Sequence, residues 1–163
     1  MKKFISIFML ATLLMLESYA NYTNNFEYEK CTYVRAKDAD TIVVNIAGED
    51  KIVRLVEIDA PESVHPIESL NTDIGKTASE YVKSLLKEGQ EIYISKDMTD
   101  RDKYGRLLRV VWLEEPINDT KEELILKSLN AKLLINGYAK VVVFKDYKYH
   151  KIFKEIESIW EKY

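Results

Sequence analysis

Residues 38–62 read DADTIVVNIAGEDKIVRLVEIDAPE. Two runs rich in branched residues, Thr41–Ile46 and Lys51–Ile58, flank Ala47-Gly48-Glu49-Asp50, a pattern that predicts a β-hairpin. Asp38-Ala39 turns the chain into the hairpin, and Ala60-Pro61-Glu62 turns it away. Arg54 stands inside the second run. An unpaired charge on a half-buried strand costs several kcal/mol, so the arginine needs an anion in reach. Asp40 and Asp59 offer hard oxygen donors of the kind calcium and magnesium prefer, and Glu62 lies just past Pro61 on a loop that reaches the same place. A cation site, a guanidinium and a free carboxylate are together what cleavage of a phosphodiester requires. Arg54 and Asp59 are five residues apart, which in a regular strand would face them oppositely. A bulge or bend is therefore expected before Asp59, and Pro61 favours an early end to regular pairing.

Outward from this stretch, Cys31–Lys37 reads as a preceding strand and Ser63–Asp73 as an exposed loop. Ala78, Tyr81, Val82, Leu85 and Leu86 repeat at helical spacing up to Gly89. Gln90–Lys96 and Arg106–Leu113 read as strands separated by the polar loop Asp97–Gly105. After the loop Glu114–Thr120, a short hairpin strand is predicted over Glu123–Lys127. A short helix through Leu129, Leu133 and Leu134 ends at Gly137, and Lys140–Phe144 is a short apolar segment. A last helix runs with Tyr149, Ile152, Phe153, Ile156, Ile159, Trp160 and Tyr163 on one face. Three strands, a helix and two strands give an α+β fold: a five-stranded OB-type barrel with a helix after strand three and two further helices packed outside.

With 163 residues the chain suits one globular domain. Its first twenty residues differ from the rest. Lys2 and Lys3 precede the apolar run Phe4–Leu16, and Ser18-Tyr19-Ala20 places small residues where a signal peptidase reads. Residues 1–20 are thus expected to be a signal peptide, 21–30 a leader and 31–163 the folded domain of a secreted or periplasmic protein, with no membrane span once the signal is removed. Cleavage after Ala20 removes Lys2, Lys3 and Glu17 and takes the net charge from −3 to −4. Cys31 is the only cysteine, so no internal disulfide forms, and a packing role is expected for it. Binding a polyanion against a negative net charge calls for local positive charge. Lys96, Arg101, Lys103, Arg106 and Arg109 supply it against Asp97, Asp100 and Asp102.

Four pieces now stand in order: Asp38-Ala39-Asp40-Thr41, Arg54 to Glu62, Asp102-Lys103-Tyr104-Gly105-Arg106, and Gly137-Tyr138-Ala139-Lys140-Val141. In this order and spacing the chain resembles the staphylococcal nuclease family over nearly all of its mature length. The resemblance implies an OB barrel with helices, and a calcium ion held by Asp40 and Asp59 with the backbone carbonyl of Ala60. It further implies Arg54 and Arg106 on the scissile phosphate, Glu62 positioning or deprotonating the attacking water, and Lys103 and Tyr104 on the neighbouring phosphate. The implied substrates are DNA and RNA, cut to leave 3′-phosphates by a monomer that needs no stable protein partner. His65 matches no position of the family and is read as a loop histidine. Asp38, Glu57 and Arg109 are read as structural. The chain departs from the family at Ala39, where glycine is usual, in a longer Glu114–Leu126 loop, in an early end to the last helix, and at Val143 and Lys145, where the family carries tyrosines that border the nucleotide.

Two other classes compete. A barrel that grips single-stranded nucleic acid without cutting predicts loss of the metal carboxylates or of Glu62. An extracellular interaction or lipid-surface domain predicts no convergent arginine pair. This sequence retains all of these residues.

Overall fold

In the computed structural model, residues 26–62, 72–142 and 147–160 are described. The expected signal peptide, His65, Val143, Lys145 and Tyr163 lie outside the described residues. Strands β1 (Glu29–Asp38), β2 (Thr41–Ile46), β3 (Glu49–Leu55), β5 (Glu91–Arg101) and β6 (Leu107–Trp112) close into a barrel in the order β1-β2-β3-β6-β5. Its pairs are antiparallel except β3 with β6, which is parallel. Ile42, Val44, Val53, Ile92, Ile94 and Val110 are buried and belong to the hydrophobic core. Alternation along the strands sends every second side chain to the outer wall.

The hairpin forms as expected but with a tighter turn. Ala47 (φ 51°) and Gly48 (φ 90°) are both left-handed, so two residues close it and β3 begins already at Glu49. Ala39 is fully buried, and its φ is not positive, so the turn before Asp40 accommodates alanine without backbone strain.

The expected strand over Lys51–Ile58 does not run through. It ends at Leu55, turns at Val56-Glu57 with Glu57 at φ 62°, and resumes as the two-residue β4 (Ile58–Asp59). The bend required before Asp59 is this turn. β4 pairs with β7 (Lys140–Val141) in a separate small sheet, Asp59 opposite Lys140.

Helix α1 (Asp73–Leu85) starts where the exposed loop was expected to end, because Thr72 caps it by accepting from Gly75 N at 2.9 Å. β5 continues to Arg101, through the segment read as a loop, with its pairing to β6 shifted between Lys96 and Arg101. The expected hairpin strand at Glu123–Lys127 is a correction: Lys121–Lys127 is helix α2, capped by Thr120. Helix α3 (Leu129–Ile135) and helix α4 (His150–Trp160) follow. Three helices rather than two therefore pack beyond α1. Phe153 and Ile156 of α4 are buried, whereas Trp160 is exposed and lies against Gly137, where a Cβ would come within 2.5 Å of its ring. Burial pushes the Cys31 thiol up to about 12, in keeping with a packing residue. Among the described residues no helix is long and apolar enough to cross a membrane.

Candidate active site

A cleft of about 940 Å³ lies on the outer wall of the barrel, between β1–β3 and the segment from Arg101 to Arg106. Asp40, Arg54, Asp59, Glu62 and Arg106 all line it, as do Lys103 and Tyr104.

Arg54 is the centre of the arrangement. Its side chain is only 11% exposed, and Nη1 and Nη2 are engaged by neighbouring groups while no bond is made by Nε among the described residues. Nη1 donates to the carbonyls of Leu55 (2.8 Å) and Ile58 (2.7 Å), the two ends of the Val56-Glu57 turn. Nη2 lies 2.7 Å from Asp59 Oδ1 and 3.1 Å from Asp40 Oδ2. The arginine thus fastens the bend that carries Asp59 beside Asp40, and its charge offsets the repulsion between the two carboxylates.

Asp40 is buried and well supported. Thr41 Oγ1 donates to its Oδ1 at 2.9 Å and Ala60 N to its Oδ2 at 2.8 Å. Burial nevertheless raises its carboxyl above the ordinary range, with Arg54 opposing the rise. Asp59 is open to solvent, its side chain 60% exposed. Asp40 and Asp59 converge on one point, and their oxygens are of the type that calcium takes. Among the described residues no group of three or more His, Cys, Asp or Glu side chains forms a metal cage. The donor set that fits is two carboxylates supplemented by a peptide carbonyl and water. The Ala60 N–H rests on Asp40, which puts that residue beside the two carboxylates.

Glu62 is placed by backbone. Its carbonyl accepts from Thr72 N at 3.0 Å, and Gly75 of α1 lies directly above. A Cβ on Gly75 would sit 2.3 Å from the Glu62 oxygen and 2.6 Å from the Pro61 oxygen. Only glycine lets the first turn of α1 rest on the Pro61-Glu62 peptide.

Across the cleft, Asp102 organises the loop that follows β5. Its Oδ1 accepts from Tyr104 N and Arg106 N, both at 2.9 Å, and its Oδ2 accepts from Arg106 Nε at 2.6 Å. Burial works to raise the Asp102 carboxyl, but these bonds outweigh it and hold it below the usual range. Gly105 (φ 81°) allows the reversal, and Tyr104 stands 71% exposed with Lys103 and Arg106 each near its ring face. Asp102 was quoted in the motif without a role; holding Arg106 is a role that its position four residues before an arginine could have signalled. Arg35, Ile52, Arg101 and Tyr147 also line the cleft. The sequence reading gave the first two no part, although alternation along the strands would have found them.

Arg109 is structural as expected, bonding Asp100 Oδ1 at 2.8 Å. Asp38 accepts from Ala39 N and from Ser79 Oγ of α1. Glu57 also lines the cleft, but its side chain is fully buried and its carboxylate meets the segment that enters α4. Its Oε1 accepts from Tyr149 N at 3.0 Å, its Oε2 lies 3.5 Å from His150 Nδ1 without a hydrogen bond, and Asp97 is its charged neighbour.

The family model for staphylococcal nuclease homologues matches residues 52–160. Thermonuclease of Staphylococcus hyicus is 30% identical over 133 residues, covering 79% of this chain and 69% of that protein. Thermonuclease of Staphylococcus intermedius is 39% identical over 90 residues, which are 53% of this chain and 51% of that one. The SPbeta prophage-derived endonuclease YokF of Bacillus subtilis is 36% identical over 142 residues, 80% of this chain and 44% of its own. The chain thus spans about half the length of some of the relatives it matches. The mixed five-stranded barrel, the three motifs along its cleft and the extent of the family match lead to one assignment: this chain belongs to the staphylococcal nuclease family.

Proposed function

We propose that the cleft hydrolyses phosphodiester bonds of DNA and RNA, sugar-nonspecifically and with calcium, leaving 3′-phosphates. The observation that carries the reading is Arg54 Nη2 held between Asp40 and Asp59 in a cleft that Glu62 and Arg106 also line. Relatives named thermonuclease and endonuclease support the nuclease class.

In this reading Asp40, Asp59 and the Ala60 carbonyl hold the cation. When bound, calcium supplies positive charge against the phosphate oxygens. Arg106, aimed by Asp102, and Arg54 take those oxygens through oriented N–H groups, which fix geometry as well as charge. Glu62 accepts the proton of the attacking water. The bond from phosphorus to the 5′ oxygen breaks, that oxygen leaves as a hydroxyl after taking a proton from solvent, and the phosphate stays on the 3′ oxygen. Lys103 and Tyr104 hold the neighbouring phosphate. The positively flanked apolar run at residues 1–20 supports a secreted or periplasmic protein.

A non-cleaving nucleic-acid module would have no use for Glu62 in the cleft. Incubating the purified mature chain with plasmid and with RNA, in calcium and in chelator, tests the reading. Calcium-dependent loss of both substrates is expected. Stable binding without cleavage in calcium would overturn it.

A further inference from the structure

Residues of the barrel wall line up in rows. Thr41, Arg54 and Leu108 are directly opposed across β2, β3 and β6 and form one row. Arg35, Val43 and Ile52 are paired across β1, β2 and β3, with a shift of register in β1 between Tyr33 and Arg35, and form another. Directly opposed residues share a face of the sheet, and so do residues two apart on one strand. Ile52 therefore stands on the same outer wall as Arg54, about 7 Å further along β3. Between them Val53 is turned into the core and fully buried.

This second row has no evident part in the fold. Ile52 is 37% exposed in a watery cleft, while Val43 beside it is almost fully covered. Arg35 is exposed, and among the described residues it has no ion pair. The contrast with the other arginines of the cleft is clear. Arg54 is held by Asp40 and Asp59, Arg106 by Asp102, and Arg101 by the Gly105 carbonyl and Asp100. An uncommitted guanidinium beside an accessible aliphatic surface, one strand repeat from the proposed reacting centre, fits a nucleotide: the guanidinium suits a phosphate and the aliphatic surface a base or sugar face.

We propose that Arg35 and Ile52, at the two ends of this row, form a further nucleotide subsite, in which Arg35 holds a backbone phosphate beyond the reacting one and Ile52 supports the attached nucleoside of a single-stranded polynucleotide. The proposal rests on the nuclease reading and deepens it. Its consequence is a chain-length preference: a substrate with one phosphodiester cannot use the subsite, whereas an oligonucleotide can.

The test compares Arg35→Gln and Ile52→Thr with the unaltered chain on a dinucleotide and on a ten-residue single-stranded oligonucleotide. Both positions are exposed and both replacements suit a strand, so the fold is kept. Arg35→Gln should raise KM for the oligonucleotide roughly five- to tenfold with kcat unchanged, and Ile52→Thr about two- to threefold. Neither should alter KM for the dinucleotide. Losing one phosphate contact should also make log KM against log salt shallower by roughly 0.7 for Arg35→Gln. Equal effects on both substrates, or none on either, would overturn the subsite. Fluorescence anisotropy with the labelled oligonucleotide in chelator reads binding independently of cleavage. If the unaltered chain cuts nothing, the nuclease reading fails, and a five- to tenfold loss of oligonucleotide affinity in Arg35→Gln still upholds the subsite while no loss removes it.

Discussion

Two carboxylate pairs flank the Val56-Glu57 turn, and they are handled in opposite ways. On the outer wall, Asp40 and Asp59 are separated by the Arg54 guanidinium, with Asp59 open to water. Inside, Glu57 is 2% exposed and Asp97 is 7% exposed, and no arginine or lysine bridge reaches either one among the described residues. Their partners are backbone groups: Tyr149 N on Glu57, and Lys148 N and Met98 N on Asp97. One oxygen of each has no hydrogen-bond partner. Burial, then the facing Asp97, pushes Glu57 up to about 8. A guanidinium lies between the carboxylates of the outer pair, whereas burial beside Asp97 favours the protonated form of Glu57, and the inner pair docks the segment entering α4. The same residue type faces a cleft in one place and docks backbone in the other, and what separates them is whether the fold supplies an arginine.

The contrast is broken most severely at the outer site. Glu62→Gln should lower turnover by about 10²–10⁴-fold, the range for a lost general base, while calcium and substrate binding persist. Near-normal turnover in the purified variant would remove the assigned role. Arg54→Gln should cost about 10²–10³-fold in rate. It should also raise calcium affinity severalfold by calorimetry, because the positive charge between Asp40 and Asp59 is gone and their repulsion favours a cation. Weaker calcium binding in a folded Arg54→Gln chain would mean that the guanidinium is needed to assemble the pair rather than competing with a cation for it.

A smaller effect is expected where the helix rests on the loop. Gly75→Ala improves helix propensity by about 1 kcal/mol but places a Cβ 2.3 Å from the Glu62 carbonyl oxygen. The peptide must move, and kcat should fall about tenfold with KM and calcium affinity little changed. The double variant Gly75→Ala with Glu62→Gln should then be no slower than Glu62→Gln alone. A further tenfold loss in the double variant would show that the helix acts on something other than Glu62.

Much of the outer site was legible because its parts are local. Thr41–Ile46 was read with its observed limits, and the bend before Asp59 was demanded by the spacing of Arg54 and Asp59 before any turn was seen. Helix α2 was misread because Leu124-Ile125-Leu126 has no period. Thr120 followed three residues later by Glu123 was the available signal, a capping pattern that the structure uses. The inner pair was out of reach. Glu57 was correctly read as structural, but its partners Asp97 and Tyr149 are 40 and 92 residues away, and no local pattern links them. The apolar run around Glu57 also hid the left-handed turn that swings it inward.

The inner pair gives the mildest and most diagnostic prediction. An unfolded glutamate ionises in the ordinary carboxylate range, while Glu57 in the fold keeps its proton to about pH 8. Between those limits the unfolded chain binds fewer protons than the folded one, so stability falls as pH rises. The contribution is complete at acid pH and lost once pH passes the folded value. Glu57→Gln removes this titration. Its amide oxygen can still accept from Tyr149 N, and its NH₂ can donate to Asp97, whose Oδ2 lacks a partner. Urea unfolding in chelator from pH 5 to pH 9 should show the unaltered chain losing stability across the window. The variant should be flatter and about 1–3 kcal/mol more stable near pH 8.5, the cost of an unpaired buried group removed. Turnover at neutral pH should change less than twofold, since Glu57 faces α4 and not the reacting centre. Parallel stability curves for the two chains would mean that the inner pair carries no proton in the fold, and that some other group compensates its charge.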